Sequence, residues 1–289
     1  MDPRYRCTVE QIATWAAQDS NVQGAIIIGS QVRDEQGADR WSDLDVMLFL
    51  NDQQPLLDDD AWLGRFGQVV CAFNYVTPLT YVKWDWIVKR ALYDDAREVD
   101  LCILPYRELD DALAINQEIM AAGHRVLYDA QPGLLEGKLA QLFAADQVAW
   151  RWTPSERELA NDFNDLLFHI VWAAQKARRG ELWVAVSDIN THIAGLLLRL
   201  VEALNILTAG ATSGLTYEGR FLEQRMDADL RAQLRDCFAK YDAADALATL
   251  GHLLDVAEGI AARLDGRIGL LPSAAQFAAV HKLYDAARA

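Results

Sequence analysis

Short apolar segments separated by turn residues make up the first part of the chain, and longer segments with helical periodicity follow. Apolar runs and alternations predict strands at 24–28, 44–50, 68–75, about 86–93 and 97–104, with a short closing strand at 125–129. The turn residues Asp94–Ala96 predict that the strands on either side of them form a hairpin. Gln131–Gly133 then marks the end of the sheet-forming part.

Helix signals are of two kinds, start motifs and apolar periodicity. Thr8-Val-Glu-Gln11 has the sequence of a capping box and predicts the start of a first helix. The clearest helix is predicted over 155–179, because Thr153-Pro-Ser-Glu156 resembles a capped start and Gly180 a stop. Further helices are predicted at 181–208, 228–240, 242–265 and from 272 to the end. The pattern predicts an α+β protein, with a sheet domain at 1–132 and a helical bundle at 133–289.

Composition narrows the class of protein. The chain has 289 residues, 52% of them hydrophobic, and a formal net charge of −15. Binding to nucleic acid requires clustered Lys and Arg, so this charge argues against such a partner. It would suit a cationic small molecule, although a solvated acidic surface is the default explanation. No apolar run approaches the roughly 18 residues of a membrane span, and Met1–Cys7 lacks a signal-peptide core, so we expect a cytoplasmic monomer.

The residues that bind zinc in other proteins are scattered here. The four cysteines lack Cys-x-x-Cys spacing, which favours free thiols over disulfides or a zinc site. The histidines lie far apart in sequence and therefore predict no metal-binding pair; they are His124, His169, His192, His252 and His281.

The densest chemical signal lies between residues 29 and 45. The β-branched run 25–28 ends at Gly29 and Ser30, where small residues let the backbone approach a phosphate group closely. The next strand begins with Asp43 and Asp45, which alternation places on one face of the sheet. Paired carboxylates of this kind bind Mg²⁺ together with substrate phosphates. The pattern therefore indicates phosphoryl or nucleotidyl transfer.

A third acid, Asp100, stands within the apolar strand that follows the hairpin turn. If it points the same way as Asp43 and Asp45, it could hold a metal ion or take the proton from an attacking hydroxyl. Other interpretations stay open. Asp-x-Asp occurs often by chance in a chain with 42 acidic residues, and Asp100 could be an edge residue that faces water.

Together these motifs resemble the DNA polymerase β-like nucleotidyltransferase superfamily, in which Gly-Ser precedes Asp-x-Asp and a later acid. Within it, the chain is most similar to the aminoglycoside (streptomycin) 6-adenylyltransferase family. The further stretches that carry this resemblance are Asp60–Gly67, Val99–Pro105, Asn161–Phe163 and Arg220–Glu223. The family usually has Arg after Gly-Ser, whereas this chain has Gln31 there and Arg33 two residues later.

The resemblance implies a nucleotidyltransferase domain with a mixed sheet and flanking helices, followed by an α-helical bundle. It implies transfer of AMP from MgATP to a hydroxyl of an aminoglycoside such as streptomycin, with release of pyrophosphate. Asp43 and Asp45 would ligate Mg²⁺, and Asp100 would be the base or a shared metal ligand. The alternatives are a lincosamide nucleotidyltransferase, which also lacks that Arg, and a nucleotide-binding homologue without turnover.

The resemblance also assigns roles to polar residues outside this cluster. Gly29, Ser30 and Arg33 would contact the nucleotide, and the acids Asp162 and Asp165 would bind the acceptor from the polar face of helix 155–179. Lys176, Arg179 and Arg220 would reach the triphosphate. A simpler interpretation of the two acids is the wet face of a bundle helix, and a simpler interpretation of the three basic residues is that they lie at helix ends.

Overall fold

The computed structural model describes residues 1–33, 37–79, 82, 84–144, 155–209, 219–220 and 222–288. The chain divides into two compact units, Met1–Ala149 and Trp150–Ala289. Helix Leu134–Ala144 therefore lies in the first unit, whereas a boundary at residue 132 would assign it to the second. It packs on the sheet of the first unit through Leu135 and Leu139, because the turn at Gln131–Gly133 leads into a helix that covers the strands.

The first unit is built on one mixed sheet, as predicted. Its strands are β1 (Val22–Ile28), β2 (Leu44–Leu50), β3 (Val69–Thr77), β4 (Trp86–Tyr93), β5 (Glu98–Pro105) and β6 (His124–Asp129). They are ordered β3-β4-β5-β2-β1-β6; β2 and β5 run parallel, and all other neighbours run antiparallel. The predicted hairpin is confirmed, with its turn at Asp94–Ala96 between β4 and β5. The α+β fold class is thus confirmed.

Helices of the first unit cover both faces of this sheet. They are α1 (Arg6–Gln18), α2 (Gln54–Asp58), α3 (Leu109–Ile115), α4 (Gln117–Ala121) and α5 (Leu134–Ala144). On β2, Leu44 and Val46 pack into the core that includes α1, while Met47 and Phe49 pack into the core that includes α3 and α5. Alternation therefore separates two cores, and a carboxylate can lie on a strand only near its end, where helices stop covering it.

The first helix begins earlier than the capping-box motif predicts. A 3-10 turn at Pro3–Tyr5 is capped by the carboxylate of Asp2 and leads directly into α1 at Arg6. Thr8 consequently lies inside the helix, fully buried, and its hydroxyl accepts a hydrogen bond from the guanidinium of Arg97. A hydroxyl that has a tertiary partner no longer acts as a cap, and the sequence pattern cannot reveal that partner.

The second unit is helical. Its helices are α6 (Glu156–Arg178), α7 (Leu182–Asp188), α8 (Ala194–Ala209), α9 (Leu222–Arg225), α10 (Ala228–Leu234), α11 (Ala243–Leu264) and α12 (Ala274–Arg288). The capping box of α6 consists of Ser155 and Glu158, two residues after the predicted motif, whose first residue Thr153 lies outside the described residues. Gly180, with φ +77°, follows the end of α6 as predicted.

Helices α7 and α8 are joined by a π-helical turn at Ile189–Ile193, which makes one helical segment from Leu182 to Thr208. By length and composition this segment alone among the described helices could cross a membrane, a possibility that counting uninterrupted apolar residues did not reveal. Its apolar residues Ile193, Leu196 and Leu200 belong to the core of the bundle. Core helices of globular proteins pass the same test, so the segment is weak evidence for a span.

Candidate active site

Strand pairing brings the predicted carboxylates together. Asp45 on β2 lies opposite Asp100 on β5 in the parallel register, and Asp43 precedes β2 with the same parity as Asp45. One oxygen from each of Asp43, Asp45 and Asp100 lies within 4.8 Å of the other two. All three acids are thus at the beginning of β2 and β5, where the sheet ends and the helices no longer cover it.

The surroundings of Asp100 disfavour its charged form. The pKa of its carboxyl group is raised to about 6, chiefly by burial; the negative charges of Asp43 and Glu98 contribute to the rise, and Arg90 opposes it. Arg90 Nε lies 3.0 Å from Asp100 Oδ2, and its guanidinium also stacks over the ring of Tyr75 at 4.9 Å. A bound cation would stabilise the charged form of a carboxyl group whose pKa has been raised in this way by burial and by neighbouring acids.

Arg90 was missed as a site residue, although the sequence contained a signal for it. The predicted turn Asp94–Ala96 is centred on Asp95, and residues equidistant from the centre of a hairpin face each other. Arg90 and Asp100 each lie five residues from that centre, and the structure pairs them across β4 and β5. The hairpin therefore carries a cation that contacts the acid cluster, as well as one member of that cluster.

The loop between β1 and β2 requires glycine at its first position. Gly29 opens a 3-10 turn (Gly29–Val32) with φ +76°, a conformation that other residues rarely adopt. A Cβ atom at Gly29 would also collide with the carboxylate of Asp45. The neighbouring Ser30 Oγ is buried and has no hydrogen-bond partner among the described residues. An unsatisfied buried hydroxyl beside three acids fits a site that takes a polar ligand, such as a nucleotide phosphate.

Gln31, which replaces the family's usual Arg, has a structural role. Its side chain is almost fully buried; Nε2 donates to the carbonyl of Asp43 at 2.8 Å, and Oε1 accepts from the backbone N–H of Asp2 at 3.0 Å. Gln31 thereby joins the 3-10 turn, the N-terminus and the strand entrance that carries the acids. Sequence reasoning missed this role because a glutamine in a polar loop gives no sign of being buried.

The predicted nucleotide-binding cations have other neighbours. Arg33 follows the 3-10 turn in an extended conformation and is half-buried. Lys176 and Arg179 both contact the carboxylate of Glu181, at 2.7 and 2.8 Å, beyond the end of α6. The carbonyl of Arg220 accepts a hydrogen bond from the guanidinium of Arg225. The roles of these cations in nucleotide binding stay predictions.

The predicted acceptor-binding acids are likewise bound to protein groups. Both oxygens of Asp162 accept hydrogen bonds from Arg199, at 2.9 and 2.8 Å, and the carboxylate is almost fully buried. Such a bidentate ion pair satisfies the acid, so an ammonium group of a ligand would have to displace Arg199. Asp165 Oδ1 lies 3.2 Å from His192 Nε2 and 3.4 Å from His169 Nε2. Acceptor binding by Asp162 and Asp165 stays a prediction.

Two histidines that are far apart in sequence lie side by side in the second unit. The rings of His169 and His192 lie with their centroids 4.3 Å apart, although the residues belong to different helical elements. Their distance in sequence gave no sign of this contact, because it depends on how α6 packs against the segment that follows it.

A family model described as streptomycin adenylyltransferase matches residues 5–281. Similar proteins include the aminoglycoside 6-adenylyltransferases of Bacillus subtilis (strain 168), 22% identical over 189 residues, and Staphylococcus aureus, 20% identical over 196 residues. These matches cover 65% and 66% of this chain, and 64% and 66% of the relatives, which is slightly less than two thirds of their length.

A third relative, an aminoglycoside 6-adenylyltransferase of Campylobacter jejuni, is 19% identical over 231 residues, covering 78% of this chain and 76% of the relative. Among solved structures, the crystal structure of an aminoglycoside 6-adenyltransferase from Bacillus subtilis has a TM-score of 0.44 and 15% identity, with 99% of both chains covered. A TM-score of this size establishes no common fold, so the sequence match alone carries the family assignment.

We predict that Gln31→Ala destabilises the protein, because it removes two hydrogen bonds of a buried side chain and leaves the partners on Asp2 and Asp43 unsatisfied. The free energy of unfolding should fall by about 1–3 kcal/mol in urea denaturation. The exposed Gln54, whose side chain bonds Asp58, provides the control, and Gln54→Ala should stay within about 0.5 kcal/mol of wild type. Equal effects of the two substitutions would contradict the structural role of Gln31.

The raised pKa of Asp100 makes stability depend on pH. The group's pKa is 3.8 when unperturbed and about 6 in the folded protein, so its stabilising contribution is present below 3.8 and is lost as pH rises through 6. Asp100→Asn abolishes this loss. In metal-free buffer with chelator, the variant should therefore gain stability relative to wild type between about pH 4 and pH 7, by up to about 3 kcal/mol.

Urea denaturation of both proteins across that pH range measures this gain. Stability curves that run parallel with pH would contradict the raised pKa, whatever the offset between them.

Proposed function

Since the chain belongs to the streptomycin adenylyltransferase family, we propose that it is a nucleotidyltransferase that transfers AMP from ATP to a hydroxyl of an aminoglycoside antibiotic. The observation that carries the proposal is the convergence of Asp43, Asp45 and Asp100 at one end of the sheet, next to the Gly29–Val32 turn. A homologue without turnover would not need to keep three acids in this costly arrangement, which supports catalysis over simple nucleotide binding.

The donor set fits a hard divalent cation. Carboxylate oxygens within 4.8 Å of one another, one of them on a carboxyl group with a raised pKa, are suited to Mg²⁺, which prefers a few carboxylates together with substrate phosphates. Asp43 and Asp45 would hold the ion, with Asp100 beside them. When bound, Mg²⁺ would neutralise charge on the triphosphate during phosphoryl transfer.

The chain's own residues then have distinct tasks in this proposal. Asp100, with a pKa of about 6, is mostly ionised at neutral pH and accepts the proton of the acceptor hydroxyl. The acceptor oxygen bonds to the α-phosphorus while the bond from that phosphorus to the bridging oxygen breaks, so pyrophosphate leaves. Arg90 fixes the orientation of Asp100 through its contact at 3.0 Å, and Ser30 Oγ donates to a phosphate oxygen.

The acceptor is the less determined part of the proposal. We assign it to the aminoglycosides, such as streptomycin, because the similar proteins are named as aminoglycoside 6-adenylyltransferases and a net charge of −15 attracts polycations. The absence of Arg after Ser30 does not by itself favour lincosamides, since Gln31 has a structural reason to be there. We place the reaction in the cytoplasm, where ATP is available.

We predict that Asp43→Asn abolishes most pyrophosphate release from ATP and streptomycin, by at least about 100-fold in kcat, because an amide is a poor ligand for Mg²⁺ and interactions with the transition state are lost. The fold should persist, since Asp43 lies at the partly exposed end of the sheet. Mg²⁺ should raise the melting temperature of wild type and not that of the variant.

Asp58→Asn provides the matched control, because Asp58 is an exposed acid of the same unit that contacts only the side chain of Gln54 among the hydrogen bonds described. This control should keep both turnover and the response to Mg²⁺. Turnover near the wild-type rate in Asp43→Asn would refute the proposed metal site.

We predict that an acceptor panel will separate cationic aminoglycosides from lincosamides. The KM for streptomycin should rise with ionic strength, because salt reduces the reach of each carboxylate to about 8 Å under physiological conditions. The KM for ATP should change less, because ATP would be bound chiefly through the metal ion and the Gly29–Val32 turn. Pyrophosphate release with lincomycin but not streptomycin, at rates insensitive to salt, would assign the protein to lincosamide transfer.

A further inference from the structure

We propose that the second unit contains a site for a divalent transition metal such as Zn²⁺, with Asp165, His169 and His192 as ligands and Asp188 as the group that orients His169. The ligand atoms of Asp165, His169 and His192 lie within 4.8 Å of one another. Two imidazoles with one carboxylate are a set that zinc prefers, and this set differs from the all-oxygen set of Asp43, Asp45 and Asp100.

Local structure explains how these residues meet. Asp165 and His169 are four residues apart on α6, so their side chains project from the same face of that helix. His192 lies in the π-helical turn Ile189–Ile193, directly after Asp188 at the end of α7. The core residues Ile189 and Ile193 of that turn stay buried while His192 faces α6. Single π turns within helices are frequent at functional positions, which supports a ligand site here.

The distances from Asp165 to the two imidazoles are compatible with metal coordination. Asp165 Oδ1 lies 3.2 Å from His192 Nε2 and 3.4 Å from His169 Nε2. Zinc–ligand bonds of about 2.0–2.1 Å in a tetrahedral site separate neighbouring ligand atoms by about 3.3 Å. The shorter contact also meets the criteria of a hydrogen bond, so in the absence of a metal ion His192 can donate to Asp165. To bind an ion, the three ligand atoms would move from within 4.8 Å of one another to about 3.3 Å.

The position of the proton on His169 also favours a metal ion. His169 Nδ1 lies 3.0 Å from Asp188 Oδ2, and a carboxylate can only accept, so Nδ1 carries the proton. In a neutral ring Nε2 then presents a lone pair to the carboxylate of Asp165, which places an acceptor against an acceptor. A metal ion between them removes this conflict, and a histidine whose other nitrogen donates to a carboxylate is the usual arrangement around zinc.

Charge and access also suit an ion. Asp188 is largely buried behind His169, whereas the side chains of Asp165 and His192 are 33% and 43% exposed, so an ion and a water ligand can enter from solvent. The guanidinium of Arg199 is close enough to interact with Asp165, but its hydrogen bonds go to Asp162. The carboxylates of Asp165 and Asp188 would balance the charge of a divalent ion.

The test is a titration of the chelator-treated full chain with Co²⁺ and with Zn²⁺, followed by visible absorption and calorimetry. We expect one equivalent of Co²⁺ to give the intense visible bands of a tetrahedral site, and Zn²⁺ to displace it. His192→Gln should weaken binding at least about 100-fold, and Asp188→Asn by about 10- to 100-fold. Both substitutions lie at or behind the rim of the site and avoid the core of the bundle.

Two control variants test whether Co²⁺ binds at this site rather than elsewhere in the chain. Asp43→Asn, which removes the proposed Mg²⁺ site of the first unit, should bind Co²⁺ with the same spectrum and affinity. His281→Ala removes a histidine that pairs with Glu258 in the same unit, and it should also bind as wild type. Because these measurements do not depend on turnover, a failure of the proposed enzymatic function would leave their outcome unaffected.

Three outcomes would overturn the proposal. The first is the absence of a tetrahedral Co²⁺ spectrum, and the second is an unchanged affinity in His192→Gln. The third is a free energy of unfolding, measured in urea, that is the same in zinc and in chelator.

Discussion

The parallel pairing of β2 with β5 is the contact on which the acid cluster depends. Its register places Asp45 beside Asp100, and it also alternates the apolar residues of both strands between two cores. A shift of one residue would turn Asp100 into the core that contains α1 and would turn apolar residues into the site. Burying a carboxylate and exposing apolar residues both cost free energy, and this cost fixes the register. The apolar packing that stabilises the sheet therefore also holds the carboxylates together.

The loop and the hairpin complete this constraint from either side. On one side, Gly29 leaves room for the carboxylate of Asp45, and Gln31 binds the backbone of Asp43. On the other, the β4–β5 hairpin brings Arg90 against Asp100. These contacts hold three acids close together although burial disfavours the charged form of Asp100, whose pKa is raised even with Arg90 beside it. Active sites often store such strain, and a bound cation relieves it.

The two candidate metal sites differ in the chemistry of their ligands and in the way the fold assembles them. The first gathers carboxylates on paired strands, a rigid arrangement suited to a hard cation and to phosphate. The second gathers imidazoles and one carboxylate from α6 and from the π turn before α8. Nitrogen ligands select softer ions, so the two sites would not compete strongly for the same metal.

The sequence by itself determined what depends on neighbours along the chain. Periodicity located the six strands and helix α6, the Gly-Ser and Asp-x-Asp motifs located the acids, and the symmetry of the hairpin around Asp95 already implied that Arg90 faces Asp100. Those features follow from alternation and turn chemistry, which act over a few residues.

Only the tertiary structure decided which distant groups meet. The bonds of Gln31 to Asp2 and Asp43, the pairing of Asp162 with Arg199 and the meeting of His169 with His192 join residues from separate elements. The buried position of Thr8 is a further example, since its motif predicted a cap. Such contacts depend on how apolar faces pack, and packing responds to the shape of the whole core, which no local pattern records.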